Sequence, residues 1–179
     1  ATSFTPSPQL SLKGGFYTDS QSLTMTCSSA KAKIYYTIDG SEPLDTSLLY
    51  TVPINITQNT VIRARAFDSG YFPSRIITRT YFINEQTTVP VLSIVVPPKY
   101  LYDDSIGIYT IGVNGIGSPP KNYRCSWERP ANVEYFLPGD TAAFNMYCGV
   151  ETFGLQSRGY AQKSLDVKFD DKYGSNKIK

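Results

Sequence analysis

The chain has 179 residues, with 17 Lys and Arg against 15 Asp and Glu and a net charge of +2. Without a block of like charge, that balance offers no electrostatic footprint for nucleic acid or for an acidic membrane surface. Histidine is absent, which excludes Ser-His-Asp and Cys-His nucleophile activation, His-containing zinc sites and any His-based pH switch.

From the N-terminus to about residue 83 the dominant pattern is period-2 alternation. In Ser22-Leu23-Thr24-Met25-Thr26-Cys27 the apolar residues fall on one face, and Cys27 reads as a buried thiol. Lys33 to Ile38 directs Ile34, Tyr36 and Ile38 inward. Val61 to Phe67 directs Ile62, Ala64 and Ala66 to a core and Arg63 and Arg65 to water. Ser74 to Ile83 is a longer β-branched run with Arg75 and Arg79 on a wet side. Between these runs lie the turn signals Gly14-Gly15, Asp39-Gly40-Ser41, Glu42-Pro43 and Asp68-Ser69-Gly70. About seven short strands with turns this close describe an immunoglobulin-like β-sandwich. Helical periodicity is absent.

The polar stretch Asn84 to Val89 breaks the pattern, so the expected organisation is a domain over 1–84, a linker over 85–89 and a second, mostly-β unit over 90–179. That unit opens with a strand, Pro90 to Val96. A short helix follows at Pro97-Pro98, because proline suits a first helical turn. Ile106 to Ile111 reads as a further strand and Gly112 to Lys121 as a loop. Arg129 to Phe136 and Phe144 to Phe153, joined through a Pro138-Gly139-Asp140 turn, read as a β-hairpin, and Ser164 to Phe169 alternates again. The most apolar run, Val89 to Pro98, is far shorter than the ~20 residues a membrane span needs.

Few residues invite chemistry. Gly112-Val113-Asn114-Gly115-Ile116-Gly117 has the glycines of a phosphate loop, but Ser118-Pro119-Pro120 follows where a helix N-terminus would be required, so a plain loop is expected. Asp103-Asp104 and Asp170-Asp171 lack the ligand spacing of a calcium loop and read as turn acids. The three cysteines, Cys27, Cys125 and Cys148, form neither a disulfide framework nor a zinc site, and pairing of Cys125 with Cys148 stays open. No catalytic or metal-ligating set emerges. Tyr35, Tyr50, Tyr71 and Phe72 are candidate carbohydrate contacts, since aromatic faces stack on the apolar faces of sugars; packing across the sheet is the competing role. In Ser157-Arg158-Gly159-Tyr160-Ala161-Gln162-Lys163-Ser164, Arg158 supplies a planar donor fork and Lys163 a point charge, the two groups that best hold phosphate.

Two motif sets carry family resemblances. Gly15-Phe16-Tyr17, Ile34-Tyr35-Tyr36-Thr37-Ile38-Asp39-Gly40-Ser41-Glu42-Pro43, Ile62-Arg63-Ala64-Arg65-Ala66 and Ser69-Gly70-Tyr71 resemble the chitobiase/β-hexosaminidase C-terminal-type domain, over about residues 5–83. The resemblance implies an immunoglobulin-like accessory module that is not itself catalytic. Trp127-Glu128-Arg129-Pro130, Val133-Glu134-Tyr135-Phe136, Ser157-Arg158-Gly159-Tyr160 and Gln162-Lys163-Ser164-Leu165, with Asp103-Asp104 ahead of Gly107-Ile108-Tyr109, resemble the opening of the spore-coat-protein-H (CotH) family of atypical kinases. That likeness implies phosphoryl transfer from ATP in a longer protein, with Arg158 and Lys163 near the nucleotide. The family's catalytic and metal-binding acids would lie beyond Lys179, so the chain alone is expected to be inert and to need no cofactor; ATP and Mg belong only to a longer parent.

The expectation is therefore a non-catalytic structural or binding module whose partners are glycans or cell-envelope proteins. The tandem arrangement resembles bacterial envelope proteins, which implies an extracellular, cell-surface or periplasmic location with a signal peptide removed ahead of Ala1.

Overall fold

The computed structural model describes residues 3–138 and 141–174. Strands take 40% of it and helix 8%, which makes the chain mainly β, as the alternation requires. It divides into two compact units, one of Ala1–Ser93 with Glu134–Ala143 and one of Ile94–Val133 with Phe144–Lys179.

In the first unit the strands are β1 (Gln9–Leu10), β2 (Gly15–Tyr17), β3 (Gln21–Leu23), β4 (Met25–Thr26), β5 (Lys33–Thr37), β6 (Leu48–Leu49), β7 (Ile54–Ile56), β8 (Thr60–Phe67) and β9 (Ile77–Ile83). Five of them form one sheet in the order β2-β9-β8-β5-β6, while β1 pairs with β4 and β3 with β7. All ladders here are antiparallel except β2 with β9, which is parallel. The core lies between the large sheet and the small ladders. Ile62, Ala64, Ala66, Ile34 and Tyr81 meet Leu23, Met25 and Ile56, all buried. The period of two is the cause, because every second residue of β8 points to this face.

Four details depart from the alternation. Arg63, assigned to water, is only 3% exposed. The outer face of the large sheet is itself covered: Thr78 and Thr80 are buried there, and Phe136 packs edge-on against Phe16 and Phe82 at 6.0 and 5.3 Å. Ile38 lies past the end of β5 and is exposed, because the chain turns away at Asp39. Gly15 is in β2 rather than a turn. Its neighbour Gly14 is buried, and a Cβ there would stand 2.7 Å from Glu134 Oε1 and 3.0 Å from the Thr80 carbonyl, so close approach and not turning is the reason for glycine. Cys27 is half-buried, and its Sγ donates to the Pro6 carbonyl at 3.3 Å.

The remaining strands, β10 (Val91–Val95), β11 (Arg129–Phe136), β12 (Ala142–Thr152) and β13 (Leu165–Lys168), follow in that order in one sheet, most of whose residues belong to the second unit. The chain passes from the first unit to the second within β10, and the turn end of the β11–β12 hairpin belongs to the first. The expected Pro138-Gly139-Asp140 turn lies in part outside the described residues. Val96, Ile108, Ala131, Val133, Cys148 and Val150 form the core. Helix α1 (Pro98–Tyr102) starts on its proline as expected. Ile106 to Ile111, however, is not a strand. The amides of Ile108 and Tyr109 donate back to the Tyr100 and Leu101 carbonyls, each at 2.8 Å, so no backbone edge is left for a ladder. Cys125 and Cys148 are buried free thiols, and burial pushes that of Cys148 up to about 12.

Candidate functional site

The turn that carries the first resemblance is held together by its own residues and by β8. Gly40 supplies a φ of 79°, where a Cβ would be penalised. Asp39 Oδ1 accepts from the Ser41 amide at 2.9 Å and its hydroxyl at 2.6 Å, and Thr37 Oγ1 donates to the Ser41 carbonyl at 2.8 Å. The Ser41 hydrogen bonds hold the Asp39 carboxyl below its ordinary value. Arg63 donates to the Gly40 carbonyl at 2.9 Å, and Arg65 pairs with Glu42 at 3.2 Å. Two motif fragments that are separate in the sequence thus form one arginine-clamped turn.

Of the four aromatic candidates, two come together. Tyr71 and Phe72 sit in a turn closed by Gly70, at φ 87°, and by the Tyr71 amide on the Asp68 carbonyl at 3.2 Å. They are 52% and 50% exposed, and Phe4, at 70%, lies 5.5 Å from the Phe72 ring. The N-terminal segment is fixed there by Phe72 N–H on the Ser3 carbonyl and Thr5 N–H on the Phe72 carbonyl, at 3.0 and 2.8 Å. Phe4 was not legible as a partner, because only this long-range bridge brings it in. Tyr35 and Tyr50 are placed elsewhere. Tyr35 packs edge-on against Phe67 at 5.5 Å on the outer face, and Tyr50 is half-buried against the core.

Arg158 and Lys163 belong to the second unit. Arg158 sits in a single 3-10 turn, Ser157–Gly159, where it donates to the Arg124 carbonyl at 2.9 Å. Its Nε is buried and has no hydrogen-bond partner among the described residues. With Arg124, Leu155, Tyr160 and Ile116 it lines a cleft of about 540 Å³. Arg124 is a wall residue that no motif had singled out. The Lys163 ammonium donates to the Tyr160 carbonyl at 2.9 Å and lies over the Tyr123 ring at 4.4 Å and the Tyr109 ring at 5.4 Å. Burial lowers its pKa from the ordinary value.

The acid pairs are turn acids. Asp103 Oδ1 accepts from the amides of Ser105 and Ile106 at 2.8 and 3.1 Å, and Asp170 Oδ1 from that of Lys172 at 3.2 Å. Gly112 to Gly117 is a loop, with Ile116 and Lys121 bridged across it. Among the described residues no group of three Cys, Asp or Glu could hold a metal ion, and no helix is long and apolar enough to cross a membrane.

An immunoglobulin-like sandwich with a clamped Tyr-Tyr-Thr-x-Asp-Gly-Ser-x-Pro turn defines the class of the first unit. Residues 12–78 match the family model of the chitobiase/beta-hexosaminidase C-terminal domain. That domain is an accessory, non-catalytic one, and the match suggests a carbohydrate-associated module. No curated protein matches the chain.

Proposed function

We propose that the chain is a non-catalytic, glycan-associated module of an exported bacterial cell-surface protein. The observation that carries this reading is the exposed Tyr71–Phe72 surface with Phe4 beside it, on a unit that matches a carbohydrate-enzyme accessory domain. Aromatic faces held by a backbone bridge are preorganised, so little conformational entropy is lost when a sugar stacks on them. The test is retention on insoluble polysaccharides. The chain is expected to be retained, and the Tyr71→Ala/Phe72→Ala double variant to be released; equal retention of both would overturn the assignment. Export is tested on the gene, where a cleavable leader is expected upstream of Ala1 and a cytosolic product would refute it.

A second reading has one observation in its favour, the cleft walled by Arg124 and Arg158. Two guanidinium groups suit phosphate oxygens, as in the front end of a CotH-type ATP-dependent kinase. In that reading Arg158 and Lys163 would both lie near the nucleotide, Lys163 with its ammonium on the Tyr160 carbonyl, and the metal and the phosphoryl-transfer chemistry would come with the rest of a longer protein. Mg-ATP should then raise the melting temperature of the chain by linkage, and Arg158→Ala should abolish the rise. No shift at millimolar nucleotide would leave the glycan reading alone.

A further inference from the structure

The first unit has a concave surface beside the Phe16-Tyr17 pair of its first motif, away from Tyr71 and Phe72. Asn84, at φ 56°, turns the chain at the end of β9, and its amide donates to the Tyr17 carbonyl at 2.7 Å. Asparagine tolerates that left-handed conformation better than most residues. The turn carries residues 85–87 past the end of β2 and leaves a groove of about 360 Å³, whose walls include Phe16, Tyr17, Thr18, Glu85 and Gln86. That volume is in the range of small-ligand sites.

The walls are chemically mixed. Phe16 is stacked on Phe82 at 4.6 Å and Tyr17 donates to the Lys13 carbonyl at 2.7 Å, so both rings are fixed. Glu85 uses one oxygen, Oε1, to accept from Asn59 at 3.0 Å. Its other oxygen and the whole Gln86 amide carry no hydrogen bond among the described residues, and both side chains are exposed. Apolar rings beside a carboxylate and an amide suit a ligand with one apolar face and a rim of hydroxyls. Among the described residues the lining has a carboxylate and no cation, which disfavours an anion by like-charge repulsion.

We infer that this groove is a subsite for a short neutral saccharide, with Tyr17 under the sugar ring and Glu85 and Gln86 on its hydroxyls. The inference rests on the glycan-associated reading and adds a location that Tyr71 and Phe72 do not share.

The experiment is a titration of the ¹⁵N-labelled chain with triacetylchitotriose and cellotriose as neutral probes, and with trigalacturonic acid as the anionic one. Amide shifts are expected at residues 17–18 and 84–87. Glu85→Gln and Gln86→Ala should each weaken binding roughly tenfold, the worth of a hydrogen bond to a charged or well-placed polar group. Glu85→Gln keeps the acceptor that Asn59 uses, so the fold should survive it. Tyr71→Ala/Phe72→Ala should leave the groove shifts unchanged. Shifts confined to residues 71–72 would overturn the groove while leaving the glycan reading intact. No response to either neutral sugar would overturn both, and equal groove shifts with trigalacturonic acid would overturn the neutral selectivity.

Discussion

Arg63 shows how far a residue's role depends on its neighbours. Alternation puts it opposite Ile62 and Ala64, and that parity holds, but the face it reaches is covered rather than wet. Its bond to the Gly40 carbonyl is part of the clamped turn. Replacing it by methionine should cost about 2 kcal/mol, the price of a lost charge-assisted bond in a buried site, and urea denaturation will measure it; Arg75→Ala, on an exposed side chain, should be near neutral. At the same turn, Ser41→Ala removes the largest cause of the low Asp39 pKa. The carboxyl should then titrate closer to its ordinary 3.8, as followed by carbon-detected NMR. The turn residues were readable in sequence because Asp, Gly and Ser act locally. Their arginine partners were visible only as a polar parity, since the clamp spans 23 positions.

Among the elements, the 3-10 turn Asp171–Tyr173 is fastened to Glu128, the residue just ahead of β11. Glu128 Oε1 accepts from the Tyr173 hydroxyl at 2.5 Å and from the Lys172 ammonium at 2.7 Å. Those bonds lower the Glu128 pKa below 4.5, while burial, with the Glu128 hydrogen bond next, raises that of Tyr173 above 10.0. A depressed carboxylate stabilises the fold above its unfolded pKa, and the contribution is lost as pH falls through the folded value. A raised tyrosine stabilises below its unfolded pKa, and that contribution is lost as pH rises through the folded value. The fastening should therefore hold across neutral pH and weaken below about 4.5 and above about 10. Lys172→Met should narrow the acid limb of melting temperature against pH, and Tyr173→Phe should narrow the alkaline limb and, to a smaller extent, the acid one. Gly149→Ala tests the same contact sterically, because its new Cβ would collide with Glu128 Oε1; both limbs should shrink. Nothing local in Glu128 or Gly149 announces this arrangement.

The whole molecule is where chain order and packing separate most. The family match ends at residue 78, yet the first compact unit also contains 134–143. Phe136, fully buried, covers the Phe16–Phe82 pair with two edge-on contacts. Phe136→Ala should cost about 3–5 kcal/mol, as large-to-small core changes do. A fragment ending at Ser93 should bind a hydrophobic dye and melt lower than the first-unit transition of the full chain; an unchanged melting temperature with no dye binding would refute the cover. The sequence by itself determined the β class, the inward residues of β5 and β8, helix α1, the β11–β12 hairpin and the turn chemistry of Asp39 to Pro43, all of which rest on periods of two or on contacts a few residues long. Only the tertiary structure decided that Arg63 is buried, that Phe4 joins Phe72, that Arg124 shares a cleft with Arg158, and that residues 84–87 form a groove over Tyr17. The physical reason is common to all four. Each depends on which distant surface covers a given face, and periodicity says which way a side chain points but not what it meets there.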